Sequence, residues 1–197
     1  MKNLSDFNNQ NGCCCSCGLK KAICILNQIK ELDLIDNTTL LDVYYDSNLK
    51  LTESTLKESL YPNLILVEGK DESNNNLKIN LCLEYLNAVS FKAKSNDYQS
   101  IINILNRDYY HLLRIETPCN ENCCCKYSFI ACFKDKYLQS NHEDRLFKLG
   151  VCGIGNPIPQ GNENLVVVHL DYDIGWFLDI INATFYLVPL CKIYGVI

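Results

Sequence analysis

The pattern of hydrophobic and polar positions predicts a short helix near the start of the chain. From residue 18 to residue 32, apolar side chains recur at three- and four-residue spacing, which is the period of an amphipathic α-helix. The residues on this apolar face are Leu19, Ala22, Ile23, Leu26, Ile29 and Leu32. A weaker pattern of the same kind predicts a second helix over residues 126–138.

Runs rich in β-branched and aromatic residues predict strands in both halves of the chain. In the first half they cover residues 40–46, 63–69 and 77–92. In the second half they cover residues 145–155, 164–173, 176–181 and 184–197. A long turn is predicted between the first two runs of the second half, because a glycine or a proline stands at every second position from residue 153 to residue 161.

The segment between the two halves is predicted to begin as a helix. Asp97 is placed to cap it, and Tyr98, Ile101, Ile102 and Leu105 share one face. From Tyr109 the pattern favours a strand, although a longer helix is the alternative.

Three short motifs recur in the same order along the chain. They are the cysteine triplets at 13–15 and 123–125, the runs "NLILV" at 63–67 and "NLVVV" at 164–168, and the segments 77–89 and 185–196. In the last pair Leu81 and Cys82 match Leu190 and Cys191, 109 positions later. The matches predict a duplicated module. The alternative is chance similarity between apolar strands in a sequence of biased composition.

These patterns predict an α+β fold that is mostly β, with two tandem related modules. Each module is expected to hold a short helix and a small antiparallel sheet or half-open barrel. The predicted division is a flexible cysteine-rich connector at 1–17, a first module at 18–95, a linking helix or strand at 96–118, and a second module at 119–197.

Charge and hydropathy exclude several classes of partner. The net charge is −5 and there is no run of Lys or Arg, which disfavours nucleic acid and anionic membranes. No stretch of the sequence has the length and apolarity of a membrane span. The first residues lack the apolar core of a secretory signal, so synthesis in a cytosol is expected.

The cysteine content conflicts with a cytosolic location. The chain has 13 cysteines, more than a typical reduced cytosolic protein carries. Because the number is odd, at least one thiol cannot pair within a monomer.

Neighbouring cysteines are poorly placed to bond to one another. Adjacent Cα atoms lie 3.8 Å apart and their side chains diverge, whereas a disulfide needs Cα atoms roughly 4.4–6.8 Å apart with facing side chains. Each triplet is therefore expected to reach separate partners on other chains. The candidates for disulfides between subunits are the N-terminal cysteine group (Cys13, Cys14, Cys15 and Cys17), the second cysteine group (Cys119, Cys123, Cys124 and Cys125), and Cys152.

The remaining cysteines are either acceptors for those thiols or buried as small hydrophobic side chains. They are Cys24, Cys82, Cys132 and Cys191, and sequence periodicity does not decide between the two roles. Cys152 stands beside a turn in "GVCGIG" and is expected to be exposed.

Zinc binding is the alternative use of these thiols, and otherwise no cofactor is expected. Cys14 and Cys17 have the Cys-x-x-Cys spacing of a zinc knuckle, and Cys123 and Cys125 would complete the site. The second group does not repeat that spacing, however. The histidines His111, His142 and His169 stand singly, without ligand spacing.

No catalytic constellation is evident, so the chain is not expected to be an enzyme. The glycine-rich turn lacks the Gly-Lys-Ser/Thr of a phosphate loop, and no strand precedes Cys14 as a thioredoxin-like motif requires. The acidic residues of "HEDR" and "DYD" (142–145 and 171–173) are expected to be solvated. Trp176 and the tyrosines are expected in the core rather than in a ligand-binding barrel.

Cysteine triplets ahead of a short helix, followed by β modules that end in "YLVPLCKIYGVI", resemble the cysteine-rich spore-surface proteins of anaerobic spore-forming bacteria. That family includes coat, exosporium and appendage proteins. The resemblance implies synthesis in the mother-cell cytosol without a signal peptide, then oxidation into disulfide-linked layers or fibres. It implies a homo-oligomer, as a filament or two-dimensional lattice, with other cysteine-rich spore proteins as further partners. Appendage subunits usually have one β-sandwich and one connector, so two modules and two triplets leave fibre and sheet equally open.

Overall fold

The computed structural model describes residues 16–36, 40–46, 49–58, 64–94, 97–112, 147–159, 165–170 and 173–196. Within these ranges, the side chains of residues 16, 17, 58 and 107–112 are not described. The described chain forms two α-helices, one eight-stranded antiparallel sheet and one two-stranded sheet. The predicted α+β class with mostly β structure is therefore confirmed.

The first helix, α1, spans Ser16–Glu31, close to its predicted bounds. The apolar face is buried against the sheet, with Leu19, Leu26 and Ile29 fully inaccessible to solvent. Each such side chain contributes about 1.5–3 kcal/mol through removal from water. Leu32 lies beyond the end of the helix and is 59% exposed, so its predicted place on the buried face is wrong.

The second helix, α2, spans Tyr98–Leu112. The predicted strand from Tyr109 is therefore wrong over residues 109–112, where the helix continues. Ile101 and Leu105 are buried in the same core as α1, as the periodicity predicted. The predicted helix at 126–138 lies outside the described residues.

The described residues form ten strands, numbered in chain order. They are β1 (Leu41–Tyr45), β2 (Leu49–Glu58), β3 (Leu64–Lys70), β4 (Asn76–Cys82), β5 (Leu86–Lys92), β6 (Leu149–Val151), β7 (Leu165–Leu170), β8 (Ile174–Asp179), β9 (Thr184–Pro189) and β10 (Ile193–Val196). The large sheet has the order β4-β3-β2-β1-β5-β9-β8-β7, and β10 pairs with β6.

The pairing of β5 with β9 joins strands from the two predicted modules into one sheet. Val89 lies opposite Leu187, and Phe91 opposite Phe185, in an antiparallel register. The described residues therefore form one continuous eight-stranded sheet, and a division into two modules with a sheet each is not shown. The proposed module boundaries stay a prediction.

The sheet is curled, because a very short segment joins two of its distant strands. In a flat sheet β4 and β5 would be four spacings apart, about 19 Å. Only the 3-10 helix Leu83–Tyr85 connects them, and four Cα–Cα steps reach at most about 15 Å even when extended. The end of β4 must therefore bend toward β5.

Two hydrophobic cores lie on opposite faces of this sheet. The larger core contains α1, α2 and the side chains that face them, including Phe91, Trp176 and Phe185. The smaller core lies beneath the β6–β10 pair and includes Ala88, Phe177 and Val188. Within the described residues, strands β5, β8 and β9 contribute side chains to both cores.

Strand β2 was not predicted, because a β-bulge interrupts its alternation. The inward-facing side chains are those of Leu51, Ser54 and Leu56, so one gap is three residues rather than two. Glu53 has a φ of 49°, and the register shifts next to it both in the pairing of β2 with β1 and in the pairing of β2 with β3. The bulge turns Ser54 toward Gly69, where an added Cβ would lie 2.3 Å from the Ser54 hydroxyl oxygen. A bulge of this kind breaks the two-residue alternation by which a strand is predicted from sequence.

A row of charges crosses β2, β3 and β4. Glu68 accepts a hydrogen bond from Lys57 at 2.9 Å and forms an ion pair with Lys78 at 2.7 Å. The hydrogen bond from Lys57, followed by that from Lys78, lowers the pKa of Glu68 from 4.5 to about 2. A carboxyl with a depressed pKa stabilises the fold above its unfolded pKa, and this contribution is lost as the pH falls from 4.5 toward 2.

We expect Lys78→Met to raise the pKa of Glu68 part of the way back toward its ordinary value, because Lys57 remains as a donor. NMR titration of the Glu68 side-chain carboxyl measures this shift. Lys92→Met is the matched control, since Lys92 is an exposed strand lysine that makes none of the described ion pairs. An identical Glu68 titration in wild type and Lys78→Met would contradict the cross-strand row.

Candidate functional site

Four cysteines have described side chains, and they differ in state. Cys24, Cys82 and Cys152 are thiols, whereas Cys191 is disulfide-bonded. The side chains of the N-terminal cysteine group, the second cysteine group and Cys132 lie outside the described residues. Whether any of these cysteines links subunits stays a prediction.

Cys82 and Cys191 both lie next to or within 3-10 turns: Cys82 is the last residue of β4, and Cys191 lies in the turn after β9. Cys82 directly precedes the turn Leu83–Tyr85 and is half-buried. Cys191 is the central residue of the turn Leu190–Lys192 and is exposed. The interpretation of Cys191 as a buried hydrophobic side chain is therefore wrong. A 3-10 turn directs successive side chains around its axis, so Cys191 points away from the core while Leu190 enters it.

Cys152 lies in the turn after β6 and is exposed, as its sequence context predicted. The turn is fixed to its surroundings, because the Cys152 amide donates to the carbonyl of Lys192 at 2.7 Å. Gly153 follows with a φ of 73°, and an added Cβ would lie 2.1 Å from the carbonyl oxygen of Asp46. Only glycine fits that position, so the thiol of Cys152 sits on a constrained loop.

Cys24 has a different environment, in the middle of α1. Its neighbours Ile23 and Ile25 are buried, while Cys24 itself is only half-buried. The helix surface therefore restricts approach to this thiol.

A buried carboxylate holds the beginning of α1. Asp173 is 3% exposed and accepts a hydrogen bond from the Gly18 amide at 2.9 Å, although 155 residues separate them. An added Cβ on Gly18 would lie 1.7 Å from the Asp173 Oδ1 atom, so glycine leaves the space that the carboxylate fills. The expectation that Asp173 is a solvated charge is wrong.

The sequence contains one indirect signal for this contact. The first turn of α1 carries no acidic residue, although the amides and dipole of a helix N-terminus favour a negative charge. Asp173 places an acidic side chain there from the loop before β8. The helix sequence indicates that an acidic partner for the helix N-terminus comes from elsewhere in the chain, but it does not indicate which residue provides it.

Asp173 also holds the cysteine-bearing turn. Its backbone carbonyl accepts a hydrogen bond from the Leu190 amide at 2.8 Å. Through one residue, the structure therefore brings together two cysteine-bearing segments: the helix start after Cys17 and the 3-10 turn that contains Cys191. We call the Asp173 contacts to Gly18 and Leu190 the Asp173 clamp.

Within the described residues, no group of three or more His, Cys, Asp or Glu side chains is placed to hold a metal ion. The zinc alternative of Cys14, Cys17, Cys123 and Cys125 involves side chains outside that description. Of the three histidines, only His169 on β7 has a described side chain.

Trp176 belongs to the core, as predicted. It is fully buried and contacts Phe91 in an edge-to-face arrangement with ring centroids 6.5 Å apart. A shallow depression between α1 and β2 is lined by Asn27, Lys30 and Lys57 among others, and it contains no nucleophile beside a base. Neither feature provides an argument for catalysis.

Comparison with known proteins adds no relative. The chain matches no family model, no curated protein and no solved structure. Neither described helix is long and apolar enough to cross a membrane.

We expect Cys152 to react with a pulse of maleimide faster than Cys24 in the reduced folded protein, because Cys152 is exposed and Cys24 is half-buried on a packed helix. Quantitative peptide mapping after short pulses measures both rates. In guanidinium the two rates should converge, which controls for intrinsic reactivity. Faster labelling of Cys24 in the folded protein would contradict the described exposure.

Proposed function

We propose that this chain is a self-assembling structural subunit of a bacterial spore surface layer or appendage, cross-linked between copies by disulfides. Its proposed place of synthesis is the mother-cell cytosol, and its proposed place of assembly is the spore surface. Its partners are copies of itself and other cysteine-rich spore proteins. The resemblance of its cysteine groups to spore-surface proteins and the odd number of its cysteines support this function.

The single observation that best supports cross-linking is the state of Cys152. This thiol is exposed and rests on a fixed turn, while its backbone is hydrogen-bonded beside the disulfide-bonded Cys191. An outward thiol on a rigid loop is accessible to another chain and loses little conformational freedom on bonding to it.

Covalent links suit a durable layer. A disulfide stabilises a fold by about 2–4 kcal/mol, and between subunits it converts a dissociable contact into a covalent one. Persistence then depends on reduction rates rather than on an equilibrium. Contacts that do not close on themselves extend into fibres or sheets.

We also propose that the chain arose by duplication of a helix-plus-β module. Two strand–turn–strand units support this: β4, Leu83–Tyr85 and β5 in the first half, and β9, Leu190–Lys192 and β10 in the second. The residues before the two turns have φ/ψ of −67°/132° and −61°/126°, and those after them −73°/123° and −83°/117°. Aligning the turns pairs Leu83 with Leu190, which changes the offset from 109 to 107 and leaves Cys82 and Cys191 at different positions.

The proposed function is tested by oxidising reduced, purified protein and running non-reducing gel electrophoresis. We expect a ladder of multimers that reductant collapses to the monomer, and regular assemblies in electron micrographs. Cys152→Ser should weaken the ladder, whereas Cys24→Ser, which removes a half-buried thiol, should leave it unchanged. A monomer band that neither oxidant nor reductant alters would rule out the proposal.

Elemental analysis of anaerobically purified protein provides the second arm. Stoichiometric zinc together with no disulfides between subunits would replace this function with zinc binding or redox sensing in a cytosol. Absence of zinc with a reductant-sensitive ladder supports the structural function.

A further inference from the structure

We propose that Cys191 forms its disulfide within the chain, with a cysteine of the N-terminal group, and that Asp173 is the positioning residue for this bond. The link ties the start of α1 to the turn after β9. It forms inside one chain whether or not copies assemble.

The state of the described cysteines reduces the number of candidate partners for Cys191. Cys191 is disulfide-bonded, while Cys24, Cys82 and Cys152 are thiols. Of the 13 cysteines, removal of these four leaves nine, and they belong to the N-terminal group, the second group and Cys132. Cys152 is not the partner, even though its amide binds the residue after Cys191. Backbone proximity at that side of the turn has therefore not produced a bond.

The Asp173 clamp favours the N-terminal group. The side chain of Asp173 accepts from Gly18 at 2.9 Å, and its backbone carbonyl accepts from Leu190 at 2.8 Å. Each bonded residue is the immediate neighbour of a cysteine, Cys17 in the first case and Cys191 in the second. A single buried residue thus fixes both backbones, and within the N-terminal group Cys17 is the member whose backbone belongs to α1.

The chemistry balances with a small-molecule disulfide as oxidant. The two chain thiols exchange with oxidised glutathione: their sulfurs join, and the glutathione disulfide is cleaved to two glutathione thiols that take up the two protons. Fixing both backbones raises the effective concentration of one thiol at the other, so the clamp favours this bond over competing pairings.

Isotope mixing tests the pairing directly. Reduced chains of ordinary and heavy nitrogen isotope are mixed in equal amounts, oxidised, and digested with trypsin and a Glu-specific protease. We expect Cys191, in the fragment 164–192, to be linked to the fragment 3–20, with no fragment pairs of mixed isotope. Bonds between chains would give as many mixed pairs as unmixed ones. Mixed pairs, or a link from Cys191 to the second group or Cys132, would overturn the proposal.

The positioning role of Asp173 is tested with Gly18→Ala, which pushes a Cβ into the carboxylate. Gly195→Ala is the matched control, because nothing lies within 4 Å of a Cβ built there. In a glutathione redox buffer, we expect Gly18→Ala to lower the equilibrium constant for the Cys191 disulfide by about tenfold, since the loss of preorganisation lowers the effective concentration. If the Cys191 disulfide had the same equilibrium constant in both variants, Asp173 would not be its positioning residue.

A stability measurement keeps the proposal testable if Gly18→Ala does not fold. Reductant should lower the Tm of the monomeric wild-type chain by about 5–15 °C, because a disulfide that closes a long loop restricts the unfolded state. Cys191→Ser should already have the lower Tm and should lose that part of the response, whereas Cys152→Ser should keep it. A full response to reductant in Cys191→Ser would overturn the proposal.

Failure of the assembly test alone, with these results intact, would reject the proposed function and leave the intrachain link standing.

Discussion

The pairing of β5 with β9 is the constraint on which the rest of the structure depends. It places Phe91 against Phe185, with stacked rings 5.3 Å apart, at the centre of the core beneath the helices. On the opposite face, Ala88 and Val188 enter the second core. A strand pair buried on both faces must find apolar cover on each side. Among the described residues, α1 and α2 provide it on one face and the β6–β10 pair on the other.

Local patterns predicted the parts of the fold that obey a simple period. The α1 helix was found because one of its faces meets a single core over several turns, and the apolar runs around β5 and β9 were found because both faces of these strands are buried. Strand β2 was missed because the bulge at Glu53 breaks its alternation and places Ser54 inward. The extent of α2 was underestimated, because Tyr109 and its neighbours have strand-like composition and only the tertiary context decides between helix and strand.

The candidate site was predictable only in part, for a related reason. Sequence spacing indicates which cysteines are grouped, but a shift of one residue within a 3-10 turn decides whether a sulfur faces solvent or core. Cys191 is exposed for that reason, although it follows a buried strand. Asp173 was beyond prediction because its partner amide is 155 residues away. Neither composition nor periodicity records contacts of such separation.

An intrachain bond at Cys191 is compatible with assembly, because disulfides consume cysteines two at a time. With 13 cysteines, any number of internal bonds leaves at least one thiol per chain for an outside partner. A bond from Cys191 to the N-terminal group would also change how the remaining thiols of that group act. A thiol on an unrestrained tail loses the entropy of the whole segment when it bonds to a neighbour. Held next to the Asp173 clamp, the same thiol would present itself from a fixed point on the surface, and each cross-link between subunits would then impose a defined orientation rather than only a connection.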